Sequence, residues 1–594
     1  VRVIATAGHV DHGKSTLIHA LTGIQPDRWT EERRRGLTID LGFAWRKLPG
    51  GERMAFVDVP GHQRFVRNML AGVGEVTGAL FVVAADEGWM PQSDEHLQAL
   101  HALRVRHGVL TVTRSDLADP LPALDQARRR LSESSLARVP EVVVSGSTGA
   151  GLGELTAALD DLARRMPTPD PDADVRLWLD RSFGVHGAGT VVTATLSAGT
   201  LTRGDELVVA RTGRRVTIRG LQSLDEQRET VTAPARAALN LRGTRPEELD
   251  RGDALLTPDA WRVTGCVDVL LRDSRATELP RELGMHIGAA ATPVRVRPLG
   301  HEIARLSLHR ALPLRIGDIA LLRDAGRHLV PTGVHVLDVC PPALRRRGAA
   351  AARAEELRRN LDRPAGAVLL ERHGAMRAPE LRAAGARTPP WALRSGDWLL
   401  APDAREDYAA RLVELLDRSH REHPMDDGIT EGAVLRRLGL PHASLLPLVL
   451  DSPRATGVTA TGGRLRLRGP ELSEHVREGV AALRERLAER PFEAPTAGEL
   501  RRLGLDAEHL GAASRAGELL RVAEGIYLLP GALPQARDLL ARLPQPFTPS
   551  QAREVLGTSR RVAVPLLERL AREGYTRRLP DGTHRVLAVP PPER

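Results

Sequence analysis

The sequence predicts a multidomain fold: an α/β P-loop domain, two β-barrel domains, then four tandem winged-helix domains. Three observations carry that reading. A G-x-x-x-x-G-K-S loop follows the first apolar strand. Glycine-punctuated β-branched runs fill the middle of the 594-residue chain. A helical motif then recurs toward the carboxy end. A chain of this length is too long for one core, so several domains are required.

Residues 1–168 alternate short apolar strands with helical stretches, the pattern of a mostly parallel sheet. Buried strands are expected at Val3–Ala7, Met54–Val59, Ala79–Ala84, Gly108–Thr113 and Glu141–Ser145. The stretch Met166-Pro167-Thr168-Pro169-Asp170-Pro171-Asp172 reads as a linker stiffened by its prolines. The character then changes. Short runs such as Gly189–Thr195, Asp205–Arg211, Arg215–Leu221 and Val263–Leu271 are separated by frequent turn signals. That spacing predicts small barrels at 174–258 and 259–343.

After Arg345-Arg346-Arg347 the pattern becomes helical. Val434–Leu440 and Glu499–Leu505 are near copies, with weaker ones at Glu380–Ala386 and Gln551–Gly557. Each is followed by a strand-like close at Gly396–Ala401, Gly463–Leu467, Gly525–Leu529 or Thr583–Leu587. Helices plus a hairpin at that size predict winged helices over 344–417, 418–472, 473–534 and 535–594. The glycine-led strands argue against an all-helical solenoid.

Composition narrows the partners. The formal charge of +9 suggests a polyanion. Aromatic residues make up 3%, too few for a stacking platform along single-stranded nucleic acid. Cys266 and Cys340 are far apart in sequence and form neither a disulfide framework nor a zinc quartet. With no charged leader before Val1–Ala5 and no long apolar run, a cytoplasmic monomer without membrane contact is expected. Of the 84 Lys+Arg residues only Lys14 and Lys47 are lysine. Lysine was kept where a compact ammonium is required and a planar guanidinium does not fit.

That place is Gly8-His9-Val10-Asp11-His12-Gly13-Lys14-Ser15-Thr16. Its backbone N–H groups cradle phosphates, Lys14 reaches the outer ones, and Ser15 is placed for Mg²⁺. Thr38 offers a hydroxyl within Arg35-Gly36-Leu37-Thr38-Ile39. Asp58-Val59-Pro60-Gly61-His62 ends a strand with a carboxylate for the metal and a glycine N–H for the γ-phosphate. Thr113-Arg114-Ser115-Asp116 ends another, where Asp116 can accept both guanine N–H donors. Ser145-Gly146-Ser147 follows a fifth strand. Thr38 alone fits a solvated loop and Asp116 alone a helix cap; the five fragments in this order predict a guanine-nucleotide site.

The order resembles the translational GTPases related to elongation factor Tu. The resemblance implies that Lys14 binds the β/γ-phosphates, that Ser15 and Thr38 coordinate Mg²⁺, and that Asp58 acts on it through water. It further implies that Gly61 senses the γ-phosphate and His62 positions the attacking water. Val10 and Leu37 match the apolar gate that holds the histidine back until the ribosome acts. The guanine motif departs from the commoner Asn-Lys opening: Arg114 can still pack on the purine, while Thr113 loses one amide contact.

The tail narrows the resemblance. Two barrels followed by winged helices, threonine in the guanine motif and the run Leu179–Thr193 resemble the bacterial selenocysteine-specific elongation factors. That family implies selenocysteinyl-tRNA held by the first barrel, with Asp180, Arg181 and Arg236 matching the selenocysteine pocket; an ordinary barrel-edge pair is the alternative for Asp180–Arg181. It also implies a selenocysteine-insertion mRNA hairpin on the last unit. Ser559, Arg560 and Arg561 lie where a recognition helix would begin, and Arg577 and Arg578 lead into the wing. A generic initiation- or elongation-type GTPase with an unrelated RNA-binding tail, and a nucleotide-gated DNA-binding regulator, are the competing readings.

Overall fold

The computed structural model describes residues 1–26, 40–60, 66–73, 76–187, 189–324, 332–422, 428–467 and 474–587. Residues 1–372 and 376–390 form one compact unit, and residues 373–375 and 391–594 a second.

The first unit opens with an α/β domain. Its strands are β1 (Arg2–Ala7), β2 (Gly42–Lys47), β3 (Arg53–Asp58), β4 (Gly78–Ala84), β5 (His107–Thr113) and β6 (Glu141–Val143). They form one sheet in the order β2-β3-β1-β4-β5-β6, parallel except for β2, which runs antiparallel to β3 at one edge. The helices are α1 (Lys14–Thr22), α2 (Val66–Val73), α3 (Pro91–Ala102), α4 (Leu121–Leu131) and α5 (Leu152–Arg165). Every residue of β1 and β4 is buried, as a central parallel strand covered on both faces requires. Alternate residues feed two cores. Val3, Ala5 and Phe81 pack with α3 and α4, while Ile4, Leu80 and Val82 pack with α1 and α5.

Two barrels follow. The first contains β7 (Arg176–Val185), β8 (Gly189–Leu196), β9 (Thr200–Thr202), β10 (Glu206–Val209), β11 (Arg215–Ser223), β12 (Glu226–Arg228), β13 (Thr230–Thr232), β14 (Ala235–Arg242) and β15 (Ala254–Leu256). Pairing of β10 with β11 closes the ring β10-β15-β7-β8-β14-β11 around Leu177, Val192, Leu239 and their neighbours. The second is a closed barrel of β16 (Val263–Leu271), β17 (Glu282–Ile287), β18 (Ala290–Pro298), β19 (Ile303–Pro313), β20 (Ile319–Arg323) and β21 (Thr332–Asp338), in the order β16-β19-β18-β17-β20-β21.

Helix α6 (Ala349–Arg359) docks on the second barrel through buried charge. Arg353, 3% exposed, donates to Asp268 at 2.9 Å and also pairs with Asp338. Arg305 clasps Asp268 from the barrel side at 2.7 and 3.1 Å. Removing one member of such a cluster strands a buried charge. The break between the two compact units therefore falls inside the 344–417 span, with α6 on the barrel side.

In the second unit, helices and hairpins alternate. Helices α7 (Glu431–Leu438), α8 (Ala497–Arg502) and α9 (Pro549–Val555) carry three of the repeated motifs. Hairpins at Leu393–Leu400, Val458–Leu467, Leu520–Leu528 and Thr576–Val586 follow in turn. The helix after each motif differs in length: α10 is Leu446–Leu450, α11 is Ala507–Arg515 and α12 is Arg560–Arg572. Residues 474–587 share a single core that joins Leu483 and Leu505 to Phe547 and Leu566.

Candidate nucleotide-binding site

The loop between β1 and α1 turns on residues that accept unusual backbone angles. Gly8 has φ +131°, and a Cβ there would lie 2.1 Å from the Val82 carbonyl oxygen. Asp11 and Gly13 are left-handed at φ 64° and 76°. Such a turn converges backbone N–H groups into an anion-binding concavity at the start of α1.

Lys14 lies inside this loop, 6% exposed. Its ammonium donates to the carbonyls of Gly8 at 3.1 Å and His9 at 2.5 Å. Burial pushes its pKa down to about 8, against the pull of Asp58 and Asp11. Two neutral carbonyls compensate the charge only in part, so an anion here is favoured.

Asp58 closes the floor. It is fully buried at the end of β3 and accepts from Thr6 Oγ1 at 2.7 Å and from Ser15 Oγ at 2.6 Å. Thr6 Oγ1 in turn accepts the Val59 N–H at 3.0 Å. A carboxylate and a hydroxyl held this way are hard oxygen donors, the set that suits Mg²⁺ rather than a soft metal. Leu37, Thr38, Gly61 and His62 lie outside the described residues.

The strand-end loops supply the other side. Thr113 is buried, and its Oγ1 donates to the His12 carbonyl at 2.8 Å. The hydroxyl thus ties the guanine motif to the phosphate loop, a bond the expectation of a lost amide contact did not foresee. Arg114, at φ 56°, bonds to the Asp11 carbonyl and pairs with Asp86 at 2.9 Å and Glu87 at 2.8 Å. Asp116 accepts from Ser147 Oγ at 2.9 Å, and Ser145 Oγ lies 3.0 Å from Ser147 Oγ. Hydrogen bonds from Ser145 and Ser147 hold the Asp116 carboxyl below its usual range, keeping it an acceptor. Gly146 lies against Thr16, where a Cβ would meet its methyl at 3.5 Å.

Sequence reasoning missed two residues. The Gly8 N–H donates to His96 Nδ1 at 3.1 Å, and the Val10 N–H donates to Gln92 Oε1 at 2.9 Å. Both acceptors come from α3, one turn apart on the face turned to the loop. Their i, i+4 spacing just after Pro91 was the available signal.

A second cluster lies where the α/β domain meets the first barrel. A β-bulge between Leu179 and Arg181 interrupts the pairing of β7 with β8, and bulges re-aim side chains. Asp180 pairs with Arg236 and accepts from Thr193 Oγ1 at 2.5 Å. Arg181 reaches the other way, to the Leu41 carbonyl at 2.7 Å and to Asp40 at 2.9 Å. A cavity of about 570 Å³ opens beside them.

In the second unit, Ser559 stands at the N-cap of α12, but its hydroxyl makes no capping bond. Arg560, Arg577 and Arg578 are exposed and make no ion pair among the described residues. Arg561 spends one guanidinium N–H on the Pro495 carbonyl at 3.1 Å.

Comparison with known proteins follows the same divisions. The elongation factor Tu GTP binding domain matches residues 1–165, elongation factor Tu domain 2 matches 189–256, and the elongation factor SelB winged helix matches 538–586. The selenocysteine-specific elongation factor of Desulfomicrobium baculatum is 30% identical, covering 98% of both chains. That of Escherichia coli K12 is 31% identical, covering 97% of both. A crystal structure of the bacterial selenocysteine-specific elongation factor EF-Sec superposes with a TM-score of 0.71 at 25% identity, covering 99% of this chain and 100% of that one.

Proposed function

The chain belongs to the selenocysteine-specific elongation factors, and from that premise we propose that it carries selenocysteinyl-tRNA to ribosomes halted at UGA, recruited by a selenocysteine-insertion mRNA hairpin. It is a translational GTPase with an elongation factor Tu-like nucleotide domain. The observation that carries the reading is the joining of that domain, through two barrels, to a tail ending in the elongation factor SelB winged helix.

Hydrolysis of GTP to GDP and phosphate asks the protein mainly for positioning and charge stabilisation. Lys14 and the loop N–H groups from Asp11 to Thr16 hold the β- and γ-phosphates. Asp116, kept ionised by its serines, accepts from the guanine, and Arg114 walls the base. Ser15, Thr38 and Asp58 would hold Mg²⁺, which would supply neutralisation of the charge on the β- and γ-phosphates. Gly61 donates to the γ-phosphate and His62 orients the attacking water, with Val10 and Leu37 as its gate. The single-turnover test is His62→Ala: GTP affinity within about twofold of wild type, with ribosome-stimulated hydrolysis lost. A variant that hydrolyses at the full rate on ribosomes removes His62 from this role.

Asp180, Arg181 and Arg236 form the selenocysteine pocket. A selenol ionises below neutral pH and a serine hydroxyl does not, so guanidiniums discriminate by charge. Supporting this, both arginines border one cavity within the 300–1,000 Å³ range usual for small-ligand sites. At the tail, Arg560, Arg561, Arg577 and Arg578, with Ser559 at the helix start, contact hairpin phosphates and loop bases. Among the described residues no single helix is long and apolar enough to cross a membrane.

A further inference from the structure

We propose that Asp86 and Glu87 are positioning residues of the guanine site: together they clamp the Arg114 guanidinium, and the clamp holds the turn from which Asp116 reads the base. The inference rests on the assignment of Thr113-Arg114-Ser115-Asp116 to guanine recognition.

Asp86 and Glu87 follow β4, the neighbour of β5 in the sheet. Their turn is fixed at both ends. The Ala85 N–H donates to the Thr113 carbonyl at 2.9 Å, and the Gly88 N–H to the Ala84 carbonyl at 2.9 Å. The Trp89 N–H donates to Gln126 Oε1 of α4 at 2.9 Å. Two carboxylates are thus presented beside the guanine motif.

Arg114 Nη1 donates to Asp86 at 2.9 Å and to Glu87 at 2.8 Å. Its Nη2 donates to the Asp11 carbonyl of the phosphate loop. The Arg114 backbone is left-handed at φ 56°, a conformation that costs energy for any residue with a Cβ. Bonds at the far end of the side chain offset that cost and keep the turn in place, with Asp116 two residues on. Glu87 also lies 3.7 Å from His12 Nε2, so one carboxylate borders both the guanine motif and the phosphate loop.

The clamp also explains why this position is arginine. A lysine ammonium would stand where the guanidinium carbon is, one bond short of Nη1 and Nη2. It cannot meet three acceptors set to the spread of a planar fork. Left unpaired, two carboxylates beside a phosphate loop would repel the nucleotide. The arginine and its carboxylates therefore act as one unit, and that unit sets how fast nucleotide leaves.

The test uses the full chain with Mg²⁺ and a fluorescent GDP chased by unlabelled nucleotide. Asp86→Asn with Glu87→Gln should speed GDP release about tenfold, and Arg114→Lys alone about fivefold. Adding Arg114→Lys to the double variant should change release by no more than about twofold, because the two cations differ only through the carboxylates. Inosine diphosphate, which lacks the 2-amino group, supplies a second readout. The double variant should narrow the preference for GDP over it, since a misaimed Asp116 loses two bonds to guanine and one to hypoxanthine. If the double variant releases GDP at the wild-type rate while Asp116→Asn abolishes binding, the clamp is wrong and the guanine site stands. If Asp116→Asn also leaves GDP affinity unchanged, the guanine assignment falls and the clamp with it. An undiminished fivefold effect of Arg114→Lys in the double variant, or equal losses of both nucleotides, would also overturn the proposal, because a merely structural ion pair has those effects.

Discussion

At the amino end Lys14 is buried among fixed carbonyls, with Asp58 fully buried beneath it and Gln92 and His96 holding the loop from behind. At the carboxy end Arg560, Arg577 and Arg578 stand in solvent on a helix start and a hairpin. Both are proposed to meet phosphate. The first site is preorganised: its groups are desolvated before the ligand arrives, so each is hard to replace and little screened by salt. The second is a charged surface, where contacts add independently and salt competes with them. The helices after the repeated motifs make the same point. Leu446–Leu450 is apolar and a single turn, whereas Arg560–Arg572 is long and opens on two arginines. Similar scaffolds thus carry different surfaces.

Acid should break the amino end most. Burial, first among the causes, holds His12 down to about 4 and His96 to about 3, from 6.5. The unfolded chain takes up these protons near pH 6.5 and the folded domain does not, so their stability is fully present above 6.5. It is lost as pH falls toward 4 and 3. In residues 391–594 burial likewise holds His584 below its ordinary value. His96→Gln keeps an acceptor for the Gly8 N–H and removes one titration. Thermal melting of the nucleotide domain should therefore vary less steeply between pH 6.5 and 4. An unchanged slope would show that His96 is not the group responsible.

Next in size is Lys14 itself. Lys14→Arg keeps the charge in a chain that uses arginine almost everywhere else. A planar fork cannot take the place of an ammonium between the Gly8 and His9 carbonyls. Guanine-nucleotide affinity should drop about a hundredfold, the size of roughly 3 kcal/mol for a charged hydrogen-bond group, and the drop should be similar at low and high salt. Wild-type affinity in a fluorescent-nucleotide titration would remove the preorganisation argument. At the other end, Arg560→Ala and Arg577→Ala should each weaken hairpin binding about tenfold and reduce the salt slope by about 1. Arg561→Ala should do less, since its guanidinium is engaged by Pro495. Equal effects of all three, with no change in slope, would mean that the surface does not meet phosphate.

Much of this was legible in the sequence where period and punctuation are strong. Strands β1, β3, β4, β5 and β6 of the α/β sheet read as apolar runs, and Val263–Leu271 was delimited to the residue. Strand β2 was not read, although Pro49-Gly50-Gly51 follows it, because Gly42–Lys47 mixes Phe43, Ala44 and Trp45 with Arg46 and Lys47 and makes no continuous apolar run. Its position carries the Phe43 ring to Arg181 and Arg236 of the first barrel, a contact no run in the sequence announces. Gln92 and His96 look like a helix's solvated face until α3 packs beside β1. Thr113 showed the reverse: an apparent loss in the motif became a bond to His12 through tertiary contact. Ser559 was placed correctly at a helix start, yet the capping bonds of this unit are made eleven residues earlier.

Those bonds give the smallest expected effect. Thr548 accepts the Gln551 N–H at 3.3 Å, and Gln551 Oε1 accepts the Thr548 N–H at 2.8 Å, a reciprocal capping box at the start of α9. Thr548→Ala removes one half and should cost about 1 kcal/mol, read as a lower melting temperature of the tail. The arginines on α12 and the hairpin keep their places, because that helix starts beyond Gly557 and is held by Val562, Leu566 and Leu570 in the shared core. Hairpin affinity should then stay within about twofold of wild type at temperatures below the transition. A loss comparable to that of Arg560→Ala would mean that scaffold and contact surface are coupled, and the contrast between a preorganised amino end and an additive carboxy end would no longer hold.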